Sequence, residues 1–452
     1  MEIEVHNVAK VREAKICLDR IAVVAGPNGS GKSTIAKGVL TLRDTLRSLP
    51  YYVAYKKASD LLKTFFGYQA KREVIFPSEL SFAAHVRTLT IGLVRIEQPE
   101  LLCRKSFWEN DEEVFNYFSS YYSSRQANQD NQEHEAWIRW VACDDYVVLK
   151  NQILDWLCDS THSDEAYSTF VISNAIKRVY CGQVNLLGAD TVPSLTLHET
   201  NKVFTVHFEE GNYVQSDNPV VIDSDTYYLE PCHILDELAP NPYQERELSF
   251  KRKRAHYGEV CTPSWWDFAF FQRDLNPTME EVQSQEMRNT VLGDISGTLN
   301  GQLTKQNRML VFEDRSVNGQ IYIPNMASGM KSMALIARAI ENGWIRERDL
   351  LIIDEPESNL HPEWQVRFAE WLVELSDKLG LRLLLNTHSP YFLRAIERFC
   401  GRESMIGKLH VYLMEQDHDA HGDALPTFSA HDVTNDIGQV YRAMAKPFEE
   451  IE

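Results

Sequence analysis

Gly26-Pro27-Asn28-Gly29-Ser30-Gly31-Lys32-Ser33, set between the apolar run Ile21 to Ala25 and the helix-forming run Thr34 to Leu42, decides how this 452-residue chain is read. A strand-like run that ends in a glycine-rich turn and then a helix leaves backbone N–H groups unpaired and converging on one spot. The positive end of the helix dipole lies behind them. Such a spot takes an anion. Gly26 and Gly31 let the backbone wrap closely, Lys32 is placed to reach β- and γ-phosphates, and the Ser33 hydroxyl is placed to ligate Mg²⁺. Asn28, Gly29, Gly31, Lys32, Ser33 and Thr34 are therefore the expected ATP-binding residues. The same eight residues also fit an ordinary tight turn that starts a helix, so the rest of the chain has to discriminate.

Three downstream stretches do so. Leu350-Leu351-Ile352-Ile353 is a continuous apolar run, as in a strand buried on both faces, and it ends in Asp354-Glu355-Pro356-Glu357. Two acids at the end of a buried strand fit chemistry better than packing. Asp354 is expected to hold the metal with Ser33, and Glu355 to polarise the attacking water. Leu381 to Leu385 is a second buried strand, delivering Asn386-Thr387-His388-Ser389-Pro390, where His388 can touch the γ-phosphate or the attacking water. Between short strands at Met309 to Phe312 and Gln320 to Ile323 and a helix from Met333 to Asn342 lies Asn325-Met326-Ala327-Ser328-Gly329-Met330-Lys331-Ser332. Its Ser-Gly turn opens a helix and reads either as a second anion site or as simple capping by Ser328.

The remaining texture is organised around these motifs. Ile3 to Val5 and Asn7 to Leu18 read as strands leading into the loop. From about Thr41 to Tyr180 glycine almost vanishes and apolar residues recur at helical spacing, as in Val53, Leu61, Leu62, Phe65 and Phe66. Trp108, Phe115, Tyr117, Phe118, Tyr121, Tyr122, Trp137, Trp140 and Trp156 fall here and read as helix packing, while polar Ser123 to Glu135 reads as a loop. Ser194 to His198 and Val203 to Phe208 suggest a hairpin; Val220 to Ile222 and Tyr227 to Leu229 follow as strands, and Phe268 to Arg288 as a helix. A strand at Leu409 to Leu413, an acidic turn at Glu415 to Asp423 and a helix near Ile437 to Lys446 close the chain.

Composition excludes several function classes. The formal net charge of −19 opposes a protein that mainly coats nucleic acid, and the one dense basic cluster, Lys251-Arg252-Lys253-Arg254, reads most simply as solvated surface. The eight cysteines form no C-x-x-C pair, which argues against a zinc site or a disulfide framework. No apolar run approaches the roughly 20 residues that span a bilayer, and Met1-Glu2-Ile3-Glu4-Val5 does not read as a secretory signal, so a cytoplasmic protein without a membrane partner is expected.

GPNGSGKS, ASGMKS, LLIIDEPESNLHPEWQ and NTHSPYFL, in that order, resemble the ATPase head of the ABC class, in the branch of SMC proteins, RecF and OLD-type ATPases. Transporter subunits usually carry L-S-G-G-Q, whereas Met330 stands in the second glycine's place here. The E-P-E-x-x-L-H-P-E-W-Q and T-H-S-P-Y-F-L strings are similar to those of anti-phage ATPase subunits of the Septu and PARIS type. The resemblance implies an α/β fold, an ABC-type P-loop ATPase head with a mixed-sheet lobe, a parallel-sheet lobe and a helical insertion. It implies that Mg²⁺ and ATP bind at Lys32, Ser33 and Asp354, with Ser328, Gly329 and Lys331 reaching across from a second copy. Glu355 would be the base, His388 the switch residue, and Asn359 with Leu360 the loop that communicates between sites. Glu230 and Gln272 are both candidates for the glutamine that family members place between the lobes.

On this reading residues 1–45 and 181–290 form the lobe with the nucleotide loop, 46–180 the insertion, 291–400 the second lobe, and 401–452 an extension of the head. The expected function is an ATP hydrolase that forms a homodimer or higher homo-oligomer around ATP and regulates a separate effector, a nuclease, in anti-phage defence. Only about 50 residues follow Cys400, too few for a catalytic domain of their own. A DNA-binding repair or recombination ATPase is the alternative, and the acidic balance weighs against it. A transporter ATPase is disfavoured by the motif variants.

Overall fold

The computed structural model describes residues 1–67, 96, 98–119, 138, 141–186, 191–199, 202–209, 212–215, 222–229, 288–293, 296–297, 299–306, 309–316, 319–403, 405–417 and 426–449. Glu230, Gln272, the basic cluster Lys251 to Arg254, the polar stretch Ser123 to Glu135, Tyr121, Tyr122, Trp137, Trp140, the expected helix up to Met287 and the acidic turn beyond Asp417 lie outside the described residues.

Fourteen strands are described: β1 (Glu2–Val8), β2 (Val11–Cys17), β3 (Ile21–Ala25), β4 (Ser194–Glu199), β5 (Lys202–Glu209), β6 (Asn212–Gln215), β7 (Thr226–Leu229), β8 (Gly301–Gln306), β9 (Met309–Asp314), β10 (Gly319–Tyr322), β11 (Leu350–Asp354), β12 (Arg382–Thr387), β13 (Leu409–Gln416) and β14 (Phe428–Asp432). The helices are α1 (Lys32–Arg47), α2 (Leu49–Leu62), α3 (Pro99–Leu102), α4 (Lys105–Glu109), α5 (Asp111–Ser119), α6 (Asp144–Cys158), α7 (Asp164–Val179), α8 (Ser328–Glu341), α9 (Pro362–Leu379), α10 (Pro390–Arg402) and α11 (Gly438–Glu449). None of them is long and apolar enough to cross a membrane.

The chain divides into two compact units. One is built from Met1–Arg47 and the described chain from Ile176 onward, the other lies within Ser48–Ala175. The first contains an eleven-stranded sheet in the order β6-β5-β4-β1-β2-β14-β13-β3-β12-β11-β7, together with a small antiparallel sheet β10-β9-β8. One wing of the large sheet is antiparallel, including the expected hairpin that turns between Glu199 and Lys202. The other wing, β13-β3-β12-β11-β7, is parallel throughout. The fold is α/β, as the resemblance implied.

Side-chain alternation explains how the parallel wing is covered on both faces. Ile21, Val23 and Ala25 of β3, Leu351 and Ile353 of β11, and Leu383 and Leu385 of β12 join one core with Leu335 of α8, Phe368 and Leu372 of α9, and Phe392 and Ile396 of α10. The intervening residues Ala22, Val24, Ile352 and Leu384 are equally buried and point the other way, where α1 packs against β7, β11 and β12. The chain after residue 400 is part of the large sheet, because β13 pairs directly with β3, and β14 then joins β13 to β2. The N-terminal ribbon is a hairpin with its turn at Ala9-Lys10, rather than one irregular strand through Asn7 to Leu18.

The second unit is helical. Leu61, Phe66, Phe107, Trp108, Tyr117, Phe118 and Ile153 form its core, with Phe115 and Trp156 packed against it, and the Trp108 indole N–H donates to the Leu102 carbonyl at 2.8 Å. The aromatics described here are packing residues.

Candidate nucleotide site

The parallel wing sets the site through its register. Ala25 lies opposite Thr387, Val24 opposite Asn386, and Asn386 opposite Asp354, so β3, β12 and β11 end together. Leu413 pairs with Ala25 and Leu229 with Ile353, which brings β13 and β7 to the same edge. In open α/β sheets this carboxyl edge is where ligands bind.

The nucleotide loop leaves β3 at Gly26. Gly26 and Gly31 hold φ of 155° and 95°, and a Cβ on them would stand 2.8 Å from Met414 Cβ and 2.6 Å from Val11 Cγ2. The loop therefore runs in contact with β13 and β2, and only glycine fits. Lys32, 6% exposed, opens α1 and donates Nζ–H to the Gly26 and Pro27 carbonyls, both at 2.9 Å. Burial lowers the pKa of Lys32, and the carboxylates of Glu355, Asp354 and Glu357 pull it back up, so three acids act on one ammonium. Asn28, Gly29 and Ser33 are exposed; Thr34 is half-buried, and its carbonyl accepts the Tyr180 hydroxyl at 2.9 Å.

Asp354 is buried at the end of β11 with both carboxylate oxygens engaged. Oδ2 accepts the Tyr228 hydroxyl at 2.6 Å, and Oδ1 accepts the Asn386 amide. Glu355 follows with φ of 46°, a left-handed conformation that costs a non-glycine residue roughly 1–2 kcal/mol. Its N–H still pairs with the Asn386 carbonyl at 2.8 Å, and its Oε2 accepts the Ser358 hydroxyl at 2.9 Å. The acids do not cap the next helix. His361 is the N-cap of α9, its Nδ1 accepting from Glu363 N–H at 3.4 Å, with Pro362 as the first helical residue and Gly380 closing the helix at φ 66°.

Asn359, exposed at φ 61°, and Leu360 lie in the loop before α9 and border a cleft of about 700 Å³ together with Glu355, Glu357, Gln365 and His388. Gln365 ties two parts of it. Its Nε2–H donates to the Leu360 carbonyl at 3.1 Å and its Oε1 accepts the Ser389 hydroxyl at 2.7 Å, while Ser389 Oγ caps α10 by accepting from Phe392 N–H at 3.2 Å. His388 is exposed in the cleft, its Nδ1 3.9 Å from Glu355 Oε1.

The Ser-Gly turn begins α8 differently from the capping alternative. Ala327, not Ser328, occupies the N-cap position, and it makes no side-chain capping bond. Lys331 in the first turn is buried. Gly329 is the second residue of this helix.

Sequence reasoning missed Tyr228, Asn386, Glu357 and Gln365. Only Glu357 carried a readable signal, a third acid within four residues.

The donor chemistry fits the groups these residues suggest. Ser33 and Asp354 offer oxygen only, as a hard divalent cation requires. The loop has no Cβ at its two closest approaches, and it leads into a helix N-terminus, as a phosphate requires.

Residues 229–394 match a family described as "AAA domain, putative AbiEii toxin, Type IV TA system". The Septu protein PtuA of Bacillus thuringiensis is 23% identical over 171 residues, 35% of this chain and 40% of that protein. The chain resembles ABC-class ATPases. The methionine import ATP-binding protein MetN of Haemophilus ducreyi is 30% identical over 118 residues, 25% of this chain and 32% of MetN. These matches span well under half of either relative. The SMC head domain from Thermotoga maritima superposes with a TM-score of 0.35 at 11% identity, covering 96% of this chain and 98% of that one. An SMC head bound to the C-terminal winged-helix domain of ScpA gives 0.43 at 10% identity, with 96% and 98% covered.

Proposed function

We propose that the chain binds and hydrolyses ATP, closes around it as a homodimer, and thereby controls a separate effector, a nuclease, in anti-phage defence. The observation that carries the ATPase reading is the common edge of β3, β12 and β11. One register brings the nucleotide loop, Asp354-Glu355 and His388 together, and the Lys32 ammonium feels all three nearby carboxylates. The likeness to the Septu protein supports the defence setting.

In this reading residues 1–45 and 181–290 carry the nucleotide loop, 46–180 are an insertion, 291–400 hold the second set of motifs, and 401–452 complete the head. Asn28, Gly29, Gly31, Lys32, Ser33 and Thr34 cradle the phosphates. Ser33 and Asp354 would hold Mg²⁺, which when bound neutralises charge on the β- and γ-phosphate oxygens. Tyr228 and Asn386 keep the Asp354 carboxylate in one orientation. Glu355, pinned by Ser358 and by its own backbone pairing, accepts the proton of the attacking water. Ser328, Gly329 and Lys331 of a second copy complete the site from the amide-rich start of α8, and Asn359 with Leu360 sense that approach.

Two variants test the reading. Lys32→Ala loses ATP binding, and Glu355→Gln binds ATP, turns it over at least ~100-fold more slowly and accumulates as a dimer in light scattering. A Glu355→Gln protein that stays monomeric with saturating ATP would contradict the dimer. Co-purification of a nuclease with the ATP-bound form supports the effector role; DNA cleavage by the chain alone, abolished by Glu415→Ala, would overturn it.

A further inference from the structure

The amino ends of β3 and β13 lie at the edge of the sheet opposite the nucleotide loop, and three side chains of mixed chemistry meet there. Cys17 ends β2, Asp19 lies in the link from β2 to β3, and His410 is the second residue of β13, opposite Ala22 of β3. The Cys17 Sγ, an Asp19 carboxylate oxygen and a His410 ring nitrogen all lie within 4.8 Å of one another. His410 Nε2 stands 3.8 Å from Asp19 Oδ2, and it is buried without a hydrogen-bond partner. A buried polar atom left unpaired calls for a partner.

The backbone fixes all three positions. Leu18 N–H donates to the Met1 carbonyl at 2.9 Å and the Arg20 carbonyl accepts from Leu383 N–H at 2.6 Å, so the link is pinned on both sides of Asp19. The Cys17 N–H donates to the Tyr412 hydroxyl at 2.8 Å. Tyr412 and His410 share one face of β13, so the strand that presents the imidazole also holds the cysteine. β14 pairs with β13 from Gln416 as far as Tyr412, and His410 lies beyond that pairing.

A second cluster shows the contrasting case. Glu2, Glu4 and His198 also converge, on β1 and β4, but the Lys15 ammonium already sits 2.9 Å from Glu2 Oε1 and 2.7 Å from Glu4 Oε1. That cluster has its cation. At Asp19 the Met1 ammonium stands 3.8 Å from the other oxygen, Oδ1, and Oδ2 is on the histidine side.

We propose that Cys17, Asp19 and His410 bind one zinc ion, with a water as the fourth ligand. Sulfur, imidazole nitrogen and a single carboxylate oxygen form a set that suits zinc, whereas Mg²⁺ and Ca²⁺ take oxygen. The set differs in kind from the oxygens of Ser33 and Asp354, and it lies the length of β3 away from the nucleotide loop, roughly 13–17 Å by strand rise. Donors around a tetrahedral zinc ion with bonds of about 2.0–2.3 Å stand about 3.3–3.8 Å apart. The present separations need only a small closure, and Asp19, 60% exposed, has room to turn. On binding, the Cys17 thiol releases its proton to solvent, and the thiolate and carboxylate together balance the dication. The ion would then tie β2 to β13 where β14 no longer reaches.

Cobalt(II) is the probe, because it takes the place of zinc in such sites and a thiolate ligand gives it a near-ultraviolet charge-transfer band. Full-length protein freed of metal with EDTA should develop that band with one equivalent of Co²⁺. An equivalent of Zn²⁺ should then abolish it, and excess Mg²⁺ should not. Cys17→Ser should lose the band, and His410→Ala should bind Co²⁺ about tenfold or more weakly. Cys181→Ser, which removes an exposed thiol elsewhere, should change neither. A measurement on the native protein covers a variant that fails to fold: Zn²⁺ should slow alkylation of Cys17 by iodoacetamide about tenfold or more, read peptide by peptide, and leave Cys181 unaffected. A missing thiolate band, a band that survives Cys17→Ser, native affinity in His410→Ala, or Cys17 alkylated equally fast with Zn²⁺ overturns the proposal. None of these readouts involves ATP, so the zinc site and the ATPase reading stand or fall separately.

Discussion

Gly31→Ala is the sharpest test of why the nucleotide loop has its shape. An alanine Cβ there would lie 2.6 Å from Val11 Cγ2, where carbon atoms settle at about 3.5–4.0 Å. Relieving the overlap needs a shift of about 1 Å in either the loop or β2, and overpacking of this kind costs about 1–3 kcal/mol. The backbone adds its own penalty, since φ of 95° is foreign to an L-residue and costs about 1–3 kcal/mol. The loop therefore leaves its native path by a free-energy margin of about 2–6 kcal/mol. Because Lys32 and Ser33 follow immediately, that displacement is paid again in nucleotide affinity, which should fall by about 30-fold or more.

Val11→Ala separates the two contributions. It removes Cγ2 and opens the space, so in the double variant the steric part, about fivefold or more in affinity, should return while the backbone part persists. Titration with a fluorescent ATP analogue, beside urea unfolding of all four proteins without nucleotide, closes the double-mutant cycle. Native affinity in Gly31→Ala would refute the claim that the loop is wedged against β2. A double variant no better than Gly31→Ala would assign the whole cost to the backbone and refute the steric half.

Two further predictions concern the helix that starts at the loop. Arg43 is fully buried, donating Nη1–H to Glu199 Oε2 at 2.9 Å, Nη2–H to Ser224 Oγ at 2.7 Å and Nε–H to Thr226 Oγ1 at 2.9 Å, so it ties α1 to both wings of the sheet. Burial lowers its pKa to about 10, which leaves it charged at neutral pH; Arg43→Met should cost about 2–4 kcal/mol in urea unfolding, at the low end because Arg382 still pairs with Glu199 at 3.2 Å. Asp44 shows the reverse, with Oδ2 buried and unpartnered and its pKa raised to about 6 by burial against a partial pull from Arg47. A raised carboxylate pKa means that the folded state holds the proton more tightly, so this group's contribution is complete below about pH 4 and is lost as pH rises through about 6. Asp44→Asn should accordingly gain about 1–2 kcal/mol at pH 7.5 and almost nothing at pH 4; a gain equal at both pH values would show that burial is not the cause.

Much of the site was legible because its residues sit at the ends of runs whose composition is unambiguous. The five buried residues of β3 and of β11 read as strands without any knowledge of their neighbours, and each run leads directly into candidate site residues. Pro362 and Pro390 open α9 and α10, a local signal of a helix start that the sequence reading did not use. What stayed hidden was every contact made across the sheet. Tyr228 reaches Asp354 from 126 residues away and Arg43 reaches Glu199 from 156, and no local pattern records such pairs. The place of β13 beside β3 was hidden for the same reason, because a strand's sequence reports its burial and not its neighbour.

Register carries the site more than any single residue does. Asn386 stands between Val24 and Asp354, with its amide on the Asp354 carboxylate and its carbonyl on the Glu355 N–H. A slip of β12 by one residue would put Leu385 or Thr387 there and turn the asparagine to the other face. Asp354 would then lose the donor to Oδ1, and Glu357 would lose the Thr387 hydroxyl and His388 N–H that surround Oε1. Two buried carboxylates would each lose donors together, at a cost of about 1–3 kcal/mol for each oxygen left unpaired. The polar residues at the strand ends therefore do two things at once. They hold the acids and the histidine loop in place, and they penalise alternative pairings of three strands whose apolar bodies are nearly interchangeable.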